Sequence, residues 1–221
     1  MMKERRLLVE RLCMALEYRE RGVSNRPHRM MRYAWLMARA AGAKSGDCEL
    51  LSLAAPMHDI GMVGVPSSIL SKSGPLAAHE WDEVRRHPGL GAELIGVHED
   101  PLLKVARVMA LTHHERWDGE GYPAKLAGEA IPMAGRLMAV IDAFEAMTVT
   151  QRHSPPVPGP EAARRIVAES GRQFDPAMVE VFRTALPKMA GIVRAFPDRM
   201  EGLHDLDFSA SGAARRADKK R

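Results

Sequence analysis

Apolar residues recur with helical spacing along most of this 221-residue chain, and the alternating pattern of strands is nearly absent. Pro27 suits a first helical turn, and Gly42 suits a position just past a helix end. The periodicity therefore predicts an all-α protein, a single helical bundle. The predicted helices are 3–21, 27–41, 47–59, 77–97 with a break near Pro88, 101–114, 132–148, 161–170 and 176–186.

Three stretches interrupt this pattern. Residues 60–76 form a loop, and residues 115–130 form a long glycine-rich one, of a kind that is often functional inside a compact domain. Residues 153–160 hold four prolines and predict an extended connection. We expect a charged N-terminal helix over 1–21, one domain over 22–200, and a basic, disordered tail over 201–221.

The composition excludes a disordered chain, a collagen-like chain and a coiled coil. Apolar residues make up 46% and charged residues 27%, as in ordinary globular proteins. No apolar run is long enough for a membrane span, and the short apolar stretch near the N-terminus does not predict a signal peptide. Cys13 and Cys48 have neither disulfide nor zinc-site spacing, which predicts a cytoplasmic protein.

The net charge of +4 belongs to the tail. Residues 215–221 carry five positive charges and one negative, so residues 1–214 sum to zero. Aromatic residues are only 5%, too sparse for a platform that stacks single-stranded bases. We therefore expect no direct binding of nucleic acid by the body of the chain.

Three features can carry chemistry: His58-Asp59, His113-His114 and Asp142. Adjacent helical residues point about 100° apart, so each pair reaches one site only at a helix end or in a cleft. Asp142 lies in an apolar helical stretch, where a carboxylate needs a partner or a metal.

Each feature also has an ordinary explanation. The histidines suit surface or capping positions, and Asp142 suits an ion pair with Arg136 or Arg165. Taken together, they favour one metal site with imidazole and carboxylate ligands. Such ligands suit Fe, Mn, Zn, Ni or Co.

Two of these features match known motifs. His58-Asp59-Ile60-Gly61 resembles the core of the HD superfamily of metal-dependent phosphohydrolases, and the segment 113–123 resembles the defining segment of its HD-GYP subfamily. That segment reads His-His-Glu-Arg-Trp-Asp-Gly-Glu-Gly-Tyr-Pro. Supporting matches include His87-Pro88, Arg136 and Phe174-Asp175-Pro176.

The resemblance implies an HD-domain bundle that hydrolyses cyclic di-GMP, or a related cyclic dinucleotide, to linear pGpG or GMP. It implies two divalent ions, iron or manganese, with Asp59 as the bridging and catalytic ligand. The implied metal ligands are His58, Asp59, His87, His113, His114 and Asp142, and the implied substrate-binding residues are Gly121, Tyr122, Pro123 and Arg152. Domains that synthesise cyclic di-GMP (GGDEF domains) are implied partners.

The chain departs from the family pattern at several positions. Met62 stands where the family has a phosphate-binding lysine, and Arg26 stands where it has a histidine ligand. The family's extra glutamate falls on Gly22, which argues against a third ion, and Arg152 is displaced by one position. A second hypothesis is therefore a catalytically weak domain that binds a nucleotide or a partner protein.

Overall fold

The structure, a computed structural model, describes residues 2–21, 24–149 and 155–198. Short 3₁₀ turns lie at Ala55–Met57, Ile60–Gly64 and Gly128–Ala130. The helices are α1 (Met2–Arg21), α2 (Arg26–Ala40), α3 (Ser45–Ala54), α4 (Ser67–Leu70), α5 (Ala78–Val84), α6 (His87–Ile95), α7 (Pro101–Thr112), α8 (Met133–Thr148), α9 (Gly159–Ala168) and α10 (Pro176–Ala195).

The predicted all-α architecture is confirmed. Within the described ranges no strand forms, and a single isolated bridge joins Ser170 to Phe174. Among the same residues, no helix combines the length and the apolarity needed to span a bilayer. Gly22, Arg152 and the predicted tail over 201–221 lie outside the described residues.

Helix α2 runs through the middle of the bundle, between α3, α8 and α10. Its buried Tyr33 meets Phe144 of α8 edge to face at 5.8 Å, and Phe144 meets Phe182 of α10 at 5.4 Å. The fully buried Arg29 of α2 pairs with Glu145 of α8 at 2.6 Å. Apolar packing and this ion pair together fix α2 against α8, and both helices carry residues of the site described below.

Three element predictions were wrong. The helix predicted over 47–59 ends at Ala54 and gives way to a 3₁₀ turn. Helix α10 does not end at 186 but continues to Ala195 with Pro187 inside it. Met189 is fully buried beyond the proline, so its burial offsets the lost backbone hydrogen bond. The stretch 60–76 is not a plain loop either, since it contains the Ile60–Gly64 turn and α4.

The predicted break within 77–97 falls between Val84 and His87, so Pro88 becomes the second residue of α6 rather than its breaking point. A proline is favourable there because the first-turn amides have no helical acceptor. The break matters for function, since it places His87 at a helix start.

Helix α1 packs against α2 and against both 3₁₀ turns that flank His58 and Asp59. Cys13 and Glu17 are its buried residues among those whose side chains are described. The domain boundary at residue 21 stays a prediction, but α1 contributes directly to the interior of the bundle.

Candidate metal centre

Each sequence-predicted ligand lies where a helix begins or ends, except Asp142 in the middle of α8. His58 and Asp59 follow the turn Ala55–Met57, and His87 is the first residue of α6. His113 and His114 directly follow α7. A helix end frees adjacent side chains from the 100° separation, so both members of each pair can face one point.

Gly61 sets the distance between two of these elements. A Cβ atom built there would overlap the carbonyl oxygen of His87 and the amide nitrogen of Gly91. The Ile60–Gly64 turn therefore lies directly against the backbone of α6. This close approach brings His87 to Asp59.

One group of donors surrounds a single point. His87 Nε2 lies 3.2 Å from His113 Nε2, and both nitrogens lie 3.4 Å from Asp59 Oδ1. Ligands about 2.1 Å from one ion stand about 3.0 Å apart in an octahedral arrangement and about 3.4 Å apart in a tetrahedral one. With His114, these residues make a four-donor group of the size that a divalent ion requires.

The tautomers of the buried histidines fit this interpretation. The Nδ1 atoms of His87 and His113 contact backbone carbonyl oxygens, at 2.6 Å from Val84 and 3.0 Å from Met109. A carbonyl only accepts, so each Nδ1 carries a proton, and in the neutral form of each ring Nε2 has a lone pair. Two facing lone pairs at 3.2 Å do not bond to each other, and a cation between them satisfies both.

A second group consists of His58, Asp59 and Asp142. The guanidinium of Arg26 lies within it. Arg26 NH1 donates to Asp59 Oδ2 at 2.8 Å, and NH2 donates to Asp142 Oδ1 at 2.7 Å and lies 3.0 Å from His58 Nε2. NH1 also donates to Glu17 of α1 at 3.0 Å.

Charge at the centre follows from these contacts. Burial acts to raise the pKa of Asp59, but His58 and Arg26 outweigh it and hold the pKa well below its usual range. Burial acts to lower the pKa of His58, but Asp59 and Asp142 raise it to about 9. Burial and then the neighbouring His113 lower the pKa of His114 to about 3, so His114 presents a neutral ring.

The segment 113–123 folds back over the histidines. Buried Glu115 accepts from the amides of Ala124 at 2.7 Å and Leu126 at 3.0 Å. The Tyr122 ring stacks on His114 with centroids 4.8 Å apart. A Cβ at Gly121 would overlap the amide of Arg116, so this glycine serves a close backbone approach as well as lining the cleft.

A cleft of about 540 Å³ reaches two members of the four-donor group, His113 and His114. Its walls include His113, His114, Gly121, Tyr122 and Asp142, together with Arg85, Arg116 and Lys125. Sequence reasoning missed Arg85, Lys125 and the buried Glu17. No local pattern marks them, because the fold alone brings them to the centre.

The remaining predicted residues are placed as follows. Pro123 follows Tyr122 through a cis peptide bond and is exposed. Met62 is partly buried, and its amide donates to Asp59 O at 2.8 Å. His28 faces Glu10 at 3.6 Å, away from the cluster.

The ion-pair alternatives for Asp142 were wrong. Arg136 pairs with Asp175 at 2.8 Å, and Arg165 pairs with Glu161 at 3.0 Å. Asp142 pairs instead with Arg26.

Comparison with known proteins identifies the family of the chain. Residues 10–178 match the family described as HD domain. A cyclic di-GMP phosphodiesterase of Vibrio cholerae is 44% identical over 68% of this chain and 32% of its own length. A cyclic di-GMP phosphodiesterase response regulator of Xanthomonas campestris is 37% identical over 86% of this chain and 50% of its own length.

A third relative, a cyclic di-GMP phosphodiesterase of Thermotoga maritima, is 35% identical over 86% of this chain and 52% of its own length. The chain thus spans about a third to a half of these curated relatives. A crystal structure of a cyclic GMP-AMP specific phosphodiesterase of V. cholerae has the same fold, with a TM-score of 0.56 at 16% identity, over 97% of this chain and 53% of that one. The chain therefore belongs to the HD-domain family, in its HD-GYP branch.

Proposed function

We propose that the chain is a metal-dependent phosphodiesterase that hydrolyses a cyclic dinucleotide. The observation that carries the proposal is the four-donor group of Asp59, His87, His113 and His114, of which His113 and His114 line an open cleft. Relatives named as phosphodiesterases for cyclic di-GMP and 3′3′-cGAMP support the substrate class. We take cyclic di-GMP as the substrate, with linear pGpG or GMP as product.

A divalent ion at this group supplies a Lewis acid and makes water more acidic, which is the chemistry that phosphodiester cleavage requires. The chain's own residues orient the ligands. The carbonyls of Val84 and Met109 hold Nδ1 of His87 and His113, which keeps both Nε2 atoms free to coordinate. Imidazole and carboxylate donors suit iron or manganese, and we propose one of these as the resident metal.

The cleft fits a phosphate-bearing substrate. Arg85 and Lys125 line it and offset phosphate charge, a role that the family lysine would fill at position 62. Tyr122, stacked on His114, forms one wall, so we propose that it contacts the nucleotide beside the metal. Gly121 lines the same cleft. We propose Pro123 and Arg152 as further substrate contacts, as the family resemblance implies.

Hydrolysis tests the proposal directly. Protein stripped with a chelator and reloaded with Fe²⁺ or Mn²⁺ under reducing conditions is incubated with cyclic di-GMP or 3′3′-cGAMP, and the products are separated by chromatography. We expect turnover by wild type and loss of at least a hundredfold in His113→Ala. His98→Ala is the matched control, because His98 is exposed just past α6. Equal rates for wild type and His113→Ala would refute the metal-dependent function.

A second candidate function is a module that binds the nucleotide or a GGDEF-type partner without turnover. Arg26 within the ligand cluster favours it, because the arginine lies where the family has a ligand. Tight binding of cyclic di-GMP with no product from metal-loaded protein would select this function. In either case we propose a cytoplasmic location, since Cys13 and Cys48 are free, buried thiols.

A further inference from the structure

Arg26 occupies a position that metal chemistry would otherwise use. Its side chain is only 7% exposed, and it contacts every member of the second donor group. The same Asp59 Oδ2, Asp142 Oδ1 and His58 Nε2 atoms that an ion would bind at about 2.0–2.2 Å lie 2.7–3.0 Å from guanidinium nitrogens. An ion and this guanidinium cannot share that space.

The two terminal nitrogens of the Arg26 guanidinium meet these acceptors, whereas its buried Nε has no hydrogen-bond partner among the described residues. NH1 donates to Asp59 Oδ2 and to Glu17 Oε1, and NH2 donates to Asp142 Oδ1 and lies 3.0 Å from His58 Nε2. An arginine has donors only and carries no lone pair for a metal at neutral pH. It therefore replaces an ion rather than binding one.

Charge gives the same result. Glu17, Asp59 and Asp142 bring three carboxylates to a largely buried point. Even beside His58, three carboxylates would repel one another in a medium of low dielectric constant without a further cation. The guanidinium supplies a permanent positive charge there.

Asp59 divides its two oxygens between the two positions. Oδ2 accepts from Arg26 at 2.8 Å, whereas Oδ1 lies 3.4 Å from both His87 Nε2 and His113 Nε2. The four-donor group thus stays complete while the guanidinium holds the other half of the centre.

We propose that Arg26 is the built-in cation of this centre and takes the place of a second ion. The chain then binds one divalent ion, at Asp59, His87, His113 and His114, instead of the two that the family resemblance implies. This inference deepens the proposed metal-dependent activity and rests on the same site, but it concerns metal stoichiometry and is measured without substrate.

The test titrates chelator-stripped protein with Mn²⁺ alone by calorimetry, followed by elemental analysis after desalting. Wild type is expected to take up one ion per chain and to give the electron paramagnetic resonance spectrum of isolated Mn²⁺. Arg26→His removes the guanidinium and restores an imidazole, so uptake should rise to two ions with an exchange-coupled spectrum. His28→Ala, on the same helix but facing Glu10, should retain one ion.

Two ions per wild-type chain, or a coupled spectrum from wild type, would overturn the proposal even if Arg26→His fails to fold. Arg26→Lys gives a further check, because it keeps a positive charge without the fork of donors and should still take up one ion. One ion without hydrolysis of cyclic di-GMP or 3′3′-cGAMP would uphold this inference and refute the proposed function. Hydrolysis by protein that binds two ions would support the proposed function and refute this inference.

Discussion

Gly61→Ala separates packing from chemistry at the centre. The added Cβ would overlap the His87 carbonyl oxygen and the Gly91 amide nitrogen, and backbone atoms cannot rotate away as side chains do. Restoring ordinary contact requires α6 to move by more than about 1 Å. Overpacking costs about 1–3 kcal/mol, and a backbone clash belongs at the upper end. At about 2–4 °C per kcal/mol for a chain of this size, 3 kcal/mol lowers Tm by about 6–12 °C.

The same shift moves His87 away from Asp59. Metal sites tolerate about 0.2 Å of error in ligand distance, so we expect Mn²⁺ affinity to fall at least tenfold. Calorimetry gives the affinity, and circular dichroism of apo and loaded protein gives Tm. Gly89→Ala is the control, because Gly89 lies in α6 and a Cβ atom there meets nothing within 4 Å. Unchanged Tm and metal affinity in Gly61→Ala would refute the argument from close approach.

Further predictions concern single side chains. In the folded chain without metal, His114 stays neutral down to about pH 3, whereas in the unfolded chain it has a pKa of about 6.5. The unfolded chain therefore binds a proton first, and the free energy of unfolding falls as the pH drops below about 6.5. Between pH 7.5 and pH 5.0, the His114 ring should lower the free energy of unfolding by about 2 kcal/mol. Urea unfolding in the presence of chelator should therefore depend less on pH in His114→Gln than in wild type, by about this amount. Met62→Lys should raise cyclic di-GMP turnover about ten- to a hundredfold at equal metal content if a phosphate contact forms, and an unchanged rate would refute that role. Lys125→Ala should raise KM several-fold with kcat nearly unchanged, while Lys104→Ala, on the surface of α7, should leave both unchanged.

Features that depend on local sequence pattern, namely most helices and the paired metal ligands, were predictable from the sequence. Helical periodicity located most helices. Adjacent residues of a helix point in different directions, so the His-Asp and His-His pairs predicted helix ends that meet at one site, and their side chains indicated a metal. The family resemblance alone added His87, which no local feature marks. The end of α10 was misplaced because burial of Met189 outweighs the helix-breaking tendency of Pro187.

Long-range contacts account for what sequence reasoning missed. Arg26 meets Asp142 across 116 residues, and Glu17 reaches the centre only because α1 packs beside α2. In the sequence, Arg26 was noted as a position where the family's histidine ligand is missing. The structure gives it four partners and a charge that the surrounding carboxylates need.

Anomalous diffraction from crystals of the Mn²⁺-loaded chain tests the metal centre most directly. We predict one strong peak at about 2.0–2.3 Å from Asp59 Oδ1 and from the Nε2 atoms of His87 and His113, with His114 completing the set and the Arg26 guanidinium still bound to Asp59 Oδ2. Absence of a peak among these four residues in metal-loaded crystals would contradict the assignment of this cluster as the metal centre.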